Sequence, residues 1–141
     1  MGFDGSDGGL RALDRAIAES RDSRVRITVL SVANVPLDPT VPRNFGTLDD
    51  ISAREGAALA PPPDVVAHLT EAGDRLAARG IDADLTWAAG DPAHAIVETA
   101  RRIRAHVIVL GEHHHGALGR FFGADVDAEV QREAGCDVIL A

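Results

Sequence analysis

Residues 111–126 read GEHHHGALGRFFGADV and directly follow AHVIVL, a short and almost wholly apolar run. Two chemistries are open to such a stretch. Glycine-rich loops after buried strands cradle phosphates, because glycine lets backbone N–H groups come close to an anion. Three consecutive histidines, His113 to His115, offer nitrogen ligands to a transition metal. Adjacent side chains of an extended loop diverge, however. His113 and His115 could share a face, with Glu112 or Asp125 beside them. Zinc takes three or four ligands in a tetrahedral array, and this spacing supplies two. The run is read as a solvated polar loop, and no metal site is assigned.

Other reactive side chains have simpler roles. Asp4 stands in FDGSDGG, directly after a short apolar stub. It suits a ribose or base contact, and equally a turn in which its carboxylate binds nearby backbone N–H groups. Asp91 precedes Pro92 and reads as a helix cap. His68 and His94 fall on expected helices without an acidic or nucleophilic partner, so both are placed at the surface. Trp87 is assigned to the core or to a sheet edge. The single cysteine, Cys136, excludes an internal disulfide and reads as a small buried residue. No Ser-His-Asp arrangement stands out, and no catalytic residue is assigned.

These residues need elements to hold them. Met1 to Asp4 form the stub of a first strand, and Ser6 or Asp7 caps a helix over 9–20 with Leu10, Leu13 and Ile17 on one face. RITVLSVANV, 26–35, is a second, buried strand. Prolines punctuate 36–63, where a short helix at 48–59 is the one expected element. Asp64 caps a helix that Gly80 ends. IDADLTWAA, 81–89, is a third strand, and a helix follows Asp91 with Ile96, Val97, Ala100 and Ile103 inward. HVIVLG is a fourth strand, residues 124–134 a last helix, and CDVILA a fifth strand. Alternating strands and helices imply a parallel sheet covered on both faces. In such sheets ligands bind beyond the carboxyl ends of the strands, where strand order reverses. That rule selects FDGSDGG, SVANVP and the loop after the fourth strand.

The bulk numbers set limits. A chain of 141 residues suits one domain with one sizeable core. With 14 basic and 22 acidic residues the net charge is −8, which argues against general nucleic-acid binding. No apolar run nears the roughly 18 residues of a membrane span. MGFDGSDGG has neither the basic nor the apolar region of a signal peptide. A cytoplasmic protein without membrane or nucleic-acid partners is expected.

Taken together, the segments resemble the universal stress proteins. GFDGSDGGLRALDRAI is similar to that family's opening strand, Asp-containing turn and first helix. ITVLSVANV resembles its second strand, GDPAHAIVETARRIRAHVIVLG its Gly-Asp-Pro turn, helix and fourth strand, and GALGRFFGADVDAEVQREAGCDVILA its last loop, helix and strand. The resemblance implies a Rossmann-like α/β domain over residues 1–141, of the adenine nucleotide alpha hydrolase type. It implies a single five-stranded parallel sheet of order 3-2-1-4-5 and a homodimer through the C-terminal strand.

Many members of the family bind ATP with a loop of Gly, two residues, Gly, nine residues, then Gly-Ser or Gly-Thr. By resemblance Asp4 and Val32 would hold the adenosine end, with Gly111 opening the phosphate loop and Val126 ending it. The register is intact, but His114 replaces the second glycine, Ala124 the third, and Asp125 the hydroxyl residue. A non-glycine residue held in the left-handed region costs about 1 kcal/mol or more. Asp125 puts a carboxylate beside a polyanion, where two charges about 4 Å apart repel by roughly 1 kcal/mol in water and about 4 kcal/mol at intermediate dielectric. The expectation is a non-enzymatic stress-response or signalling module with a degraded ATP loop. The alternative is a nucleotide-binding switch that keeps ATP or AMP in the crevice between the first and fourth strands. An adenylating enzyme of the wider superfamily is the least supported reading.

Overall fold

The computed structural model describes residues 1–33, 45–47, 61–112 and 126–141. The expected helix at 48–59, and the loop residues His113 to His115, Ala124 and Asp125, lie outside the described residues.

Four helices and five strands make up the described chain. Helix α1 spans Asp7–Ser23, strand β1 Ile27–Ala33, strand β2 Phe45–Thr47 and helix α2 Pro63–Ala77. Strand β3 spans Ala83–Ala89, helix α3 Pro92–Ile103, strand β4 Val107–Leu110, helix α4 Val126–Glu133 and strand β5 Asp137–Leu140. Among the described residues no helix is long and apolar enough to cross a membrane.

Local chemistry explains the helix ends. Ser6 caps α1, its side chain accepting from the Gly9 N–H at 3.0 Å. Asp91 caps α3, accepting from the His94 N–H at 2.8 Å, and Pro92 follows it. Helix α2 departs from expectation: it starts at Pro63, one residue before Asp64, and Pro62 offers no side-chain cap. Its proline fixes φ for the first turn, and Asp64 lies in that turn, where it favours the positive end of the helix dipole. Gly80 ends the following turn with φ 69°.

The strands divide the core by their period of two. Val29, Trp87 and Val109 face one cluster, which α1 and α2 cover with Leu13, Ile17, Leu69 and Leu76. Leu30, Ala88, Ile108 and Leu110 face a second cluster, covered by α3 and α4 with Ile96, Val97 and Val130. Burial on both faces is why these strands read as continuous apolar runs.

Sheet pairing matches the expected single five-stranded parallel sheet only in part. β1 and β3 pair in parallel from Ile27 opposite Ala83 to Ala33 opposite Ala89. β4 and β5 pair in parallel from Val107 opposite Asp137 to Leu110 opposite Leu140. The strands form two sheets, β1-β3-β2 and β4-β5. β2 was not expected and runs antiparallel to β3; three residues with a central glycine carry no readable period. The expected first strand is a single bridge, Gly2 opposite Leu30. It is nonetheless hydrogen-bonded on both sides: Gly2 N–H donates to Val109 C=O at 3.1 Å and Phe3 N–H to Leu30 C=O at 2.9 Å. The turn at Asp4–Gly5 follows at once, which leaves the segment too short for a ladder.

Candidate functional site

Asp4, Val32, Gly111 and Val126, far apart in sequence, line one crevice. It lies beyond the carboxyl ends of β1 and β4, where open α/β sheets take their ligands. Leu30, Val32 and Ile96 supply an apolar wall. The first residues of two helices reach the crevice, Pro92 of α3 and Val126 and Asp127 of α4. Helix N-termini present unpaired N–H groups and partial positive charge, which favours an anion. The Asp127 carboxylate opposes that tendency at α4.

Asp4 holds its turn together. One carboxylate oxygen accepts from the Ser6 N–H at 3.1 Å and from the Ser6 hydroxyl at 2.6 Å. Ser6 in turn caps α1. The carboxylate thus couples the end of the first segment to the start of α1, the turn-stabilising role weighed above. A methyl at Gly9 would come within 2.8 Å of the same oxygen.

Gly111 is set by close packing. A Cβ there would drive into the backbone of Gly8, so the exit of β4 lies directly against the start of α1. Arg11 donates to the Glu112 C=O at 2.9 Å, and the Glu112 N–H donates to the Ala141 C=O at 2.7 Å. The root of the loop is therefore fixed from α1 on one side and from beyond β5 on the other. The open volume of the crevice is about 50 Å³, against roughly 300 Å³ for the smallest common ligand pockets. The segment 113–125 lies outside the described residues.

Two polar residues escaped the sequence reading. His68 is half-buried, not a surface residue. Its ring stands edge-on to Phe3 at 6.4 Å and its Nδ1 lies 3.5 Å from the hydroxyl of buried Ser31. Gly5 has φ 73°, and a Cβ there would come within 2.7 Å of the imidazole. Ser31 alternates with Val32, so this pair packs on the α2 face, across the sheet from the crevice. No one-dimensional signal joins residues 5, 31 and 68. Cys136 is likewise half-buried where burial was expected, because β5 is an edge strand. Burial and the neighbouring Asp137 raise its thiol pKa, so it is a poor nucleophile. Among the described residues no group of three or more His, Cys, Asp or Glu side chains gathers as a metal site.

This geometry has relatives. A family model described as "Universal stress protein family" matches residues 1–141. The universal stress protein YxiE of Bacillus subtilis (strain 168) is 25% identical over 151 residues, covering 99% of this chain and 95% of that protein. The crystal structure of a universal stress protein in complex with cAMP is 30% identical with a TM-score of 0.69, covering 100% of this chain and 93% of that one. A universal stress family protein from Burkholderia pseudomallei is 25% identical with a TM-score of 0.64, over 99% and 91%. With a match over its whole length, the chain belongs to the universal stress protein family.

Proposed function

We propose that this protein is a non-enzymatic stress-response or signalling module whose crevice holds an adenine nucleotide by its adenosine end and grips the outer phosphates poorly. One observation carries the reading: Asp4, Val32, Gly111 and Val126 converge on one crevice. The apolar wall of Leu30, Val32 and Ile96 suits a purine base. Asp4 suits a ribose hydroxyl or a base N–H, and the N-termini of α3 and α4 suit a single phosphate. The 30%-identical relative with bound cAMP supports a mononucleotide. His114, Ala124 and Asp125 argue against a triphosphate grip, as derived above. Binding requires the crevice to open well beyond its present 50 Å³.

Calorimetric titration with AMP, cAMP and Mg-ATP tests this. A mononucleotide should bind, and Mg-ATP should bind no tighter. Mg-ATP binding at micromolar affinity or better, well above AMP, would establish the ATP switch instead. No heat from any of the three would remove the adenosine reading.

The same proposal takes residues 1–3 as part of the central strand of one sheet, in the order 3-2-1-4-5, and β5 as the dimer edge. Hydrogen bonds from residues 1–3 to both β1 and β4 support the first point. Half-buried Val138, Ile139 and Leu140 on an edge strand support the second. Sedimentation at micromolar concentration should show a dimer; monomer alone rejects the interface.

A further inference from the structure

The described lining of the crevice holds two carboxylates, Asp4 and Asp127, and no basic side chain. The first turns of α3 and α4 favour an anion there, and the carboxylates oppose one. A ligand that carries phosphate therefore gains from a cation beside the loop that follows β4. The chain contains no lysine, so that cation is an arginine or a protonated histidine. Among the described residues, Arg11 of α1 reaches the root of that loop. Its Nη2 donates to the Glu112 C=O at 2.9 Å.

The contact follows from the side that α1 turns to the exit of β4. Residues 8 and 11 are three apart and so share one side of the helix. Gly8 packs directly against Gly111, where a Cβ would strike the Gly8 backbone. A Cβ at Gly8 would in turn come within 3.1 Å of the Glu112 carbonyl oxygen. That oxygen thus lies over the first turns of α1, and Arg11 is the side chain placed to meet it. From the other side the Glu112 N–H is held by the Ala141 C=O at 2.7 Å. Of these holds on the root, the glycine packing and the Ala141 bond are made by backbone. The hold from Arg11 is an exposed side chain with a permanent charge. Its guanidinium offers five N–H donors in a fixed fork, and the bond to Glu112 uses one nitrogen.

We propose that Arg11 is a positioning residue that makes the crevice prefer phosphorylated over unphosphorylated adenosine. The inference rests on the nucleotide reading of the crevice and adds the residue that responds to the phosphate. Through the Glu112 C=O, Arg11 fixes the chain where it leaves β4, next to Gly111 of the crevice lining. Its charge at that point offsets repulsion from the lining carboxylates, and does so most for the most anionic ligand. Adenosine has no phosphate. It uses the apolar wall of Leu30, Val32 and Ile96, together with Asp4, and gains nothing from Arg11.

Calorimetric titration of the 141-residue chain, Arg11→Ala and Arg11→Lys with AMP and with adenosine tests this, alongside amide hydrogen exchange at Glu112 in the free proteins. Arg11→Ala should weaken AMP by roughly fivefold or more and leave adenosine within about twofold, since a charge-assisted hydrogen bond is lost together with its charge. Arg11→Lys keeps a charge and a donor, so it should recover most of the AMP affinity and leave adenosine unchanged. Exchange at Glu112 should quicken by roughly threefold or more in Arg11→Ala, with little change in Tm, because alanine at an exposed site leaves no cavity. Equal weakening of AMP and adenosine would mark a general structural role and overturn the proposal. Unchanged exchange at Glu112 would remove the hold on the loop root and overturn it as well. Silence from the unsubstituted chain with both ligands would remove the nucleotide reading itself, and this role with it. Unchanged AMP affinity in Arg11→Ala, beside an unsubstituted chain that binds, would remove the role of Arg11 alone.

Discussion

At the scale of single residues, Gly111 is a structural glycine of the crevice, and His114, Ala124 and Asp125 depart in sequence from the family's phosphate-loop pattern. Gly111→Ala pushes a methyl into the Gly8 backbone. It should destabilise the protein by about 1–3 kcal/mol in chemical denaturation, because the flanking backbone has to move. The loop substitutions should act on affinity instead. The triple variant His114→Gly, Ala124→Gly, Asp125→Ser restores the phosphate-loop pattern. It should tighten Mg-ATP by roughly tenfold or more while leaving AMP within a few-fold, since removing one nearby like charge alone is worth about 1–4 kcal/mol. Equal gains for AMP and Mg-ATP would show that these positions do not face the outer phosphates. Asp4, Val32, Gly111 and Val126 were named through the family resemblance, and all four line the crevice. The Ser31–His68 pair was not, because only the packing of α2 on β1 brings it together.

At the scale of elements, the helix ends hold the chemistry in place. Ser6 caps α1 and also receives Asp4, so one hydroxyl links the crevice to a helix of 17 residues. Ser6→Ala should cost about 1 kcal/mol and lower nucleotide affinity through a loosened Asp4; Ser6→Thr, which keeps the hydroxyl, should recover both. Calorimetric titration alongside urea melts separates the two effects. At the other end of α1, Arg24 sits in the left-handed region with φ 54° and is exposed. Arg24→Gly should stabilise by about 0.5–1 kcal/mol, read as a higher urea midpoint at unchanged slope. Helices α1 and α3 were readable because a polar cap precedes an apolar period. β2 was not, since its pairing with β3 is a tertiary contact made by three residues.

At the scale of the whole molecule, the two sheets meet through residues 1–3. Residues 1–3 join β1 to β4, and the Met1 amino group sits between them. Its pKa is about 6 in the fold and 8.0 when exposed. Between those values the unfolded chain binds more protons than the folded one. Stability should therefore rise with pH from 6 to 8, by up to about 3 kcal/mol. Acetylating the amino group should flatten that slope in urea melts; an unchanged slope would assign it to other groups.

The sequence by itself determined the α/β class, most of the strands and helices, the cap at Asp91, the choice between Ser6 and Asp7 at α1, and the family. Each follows from interactions local in the chain or from burial on both strand faces, and both leave periodic traces. Only the tertiary structure decided that Asp4, Val32, Gly111 and Val126 share one crevice, that His68 lies over Gly5, and that an opening of about 470 Å³ lies between β1 and β4. Those are contacts between distant segments. Their geometry is set by how the strands line up side by side, which no local pattern encodes.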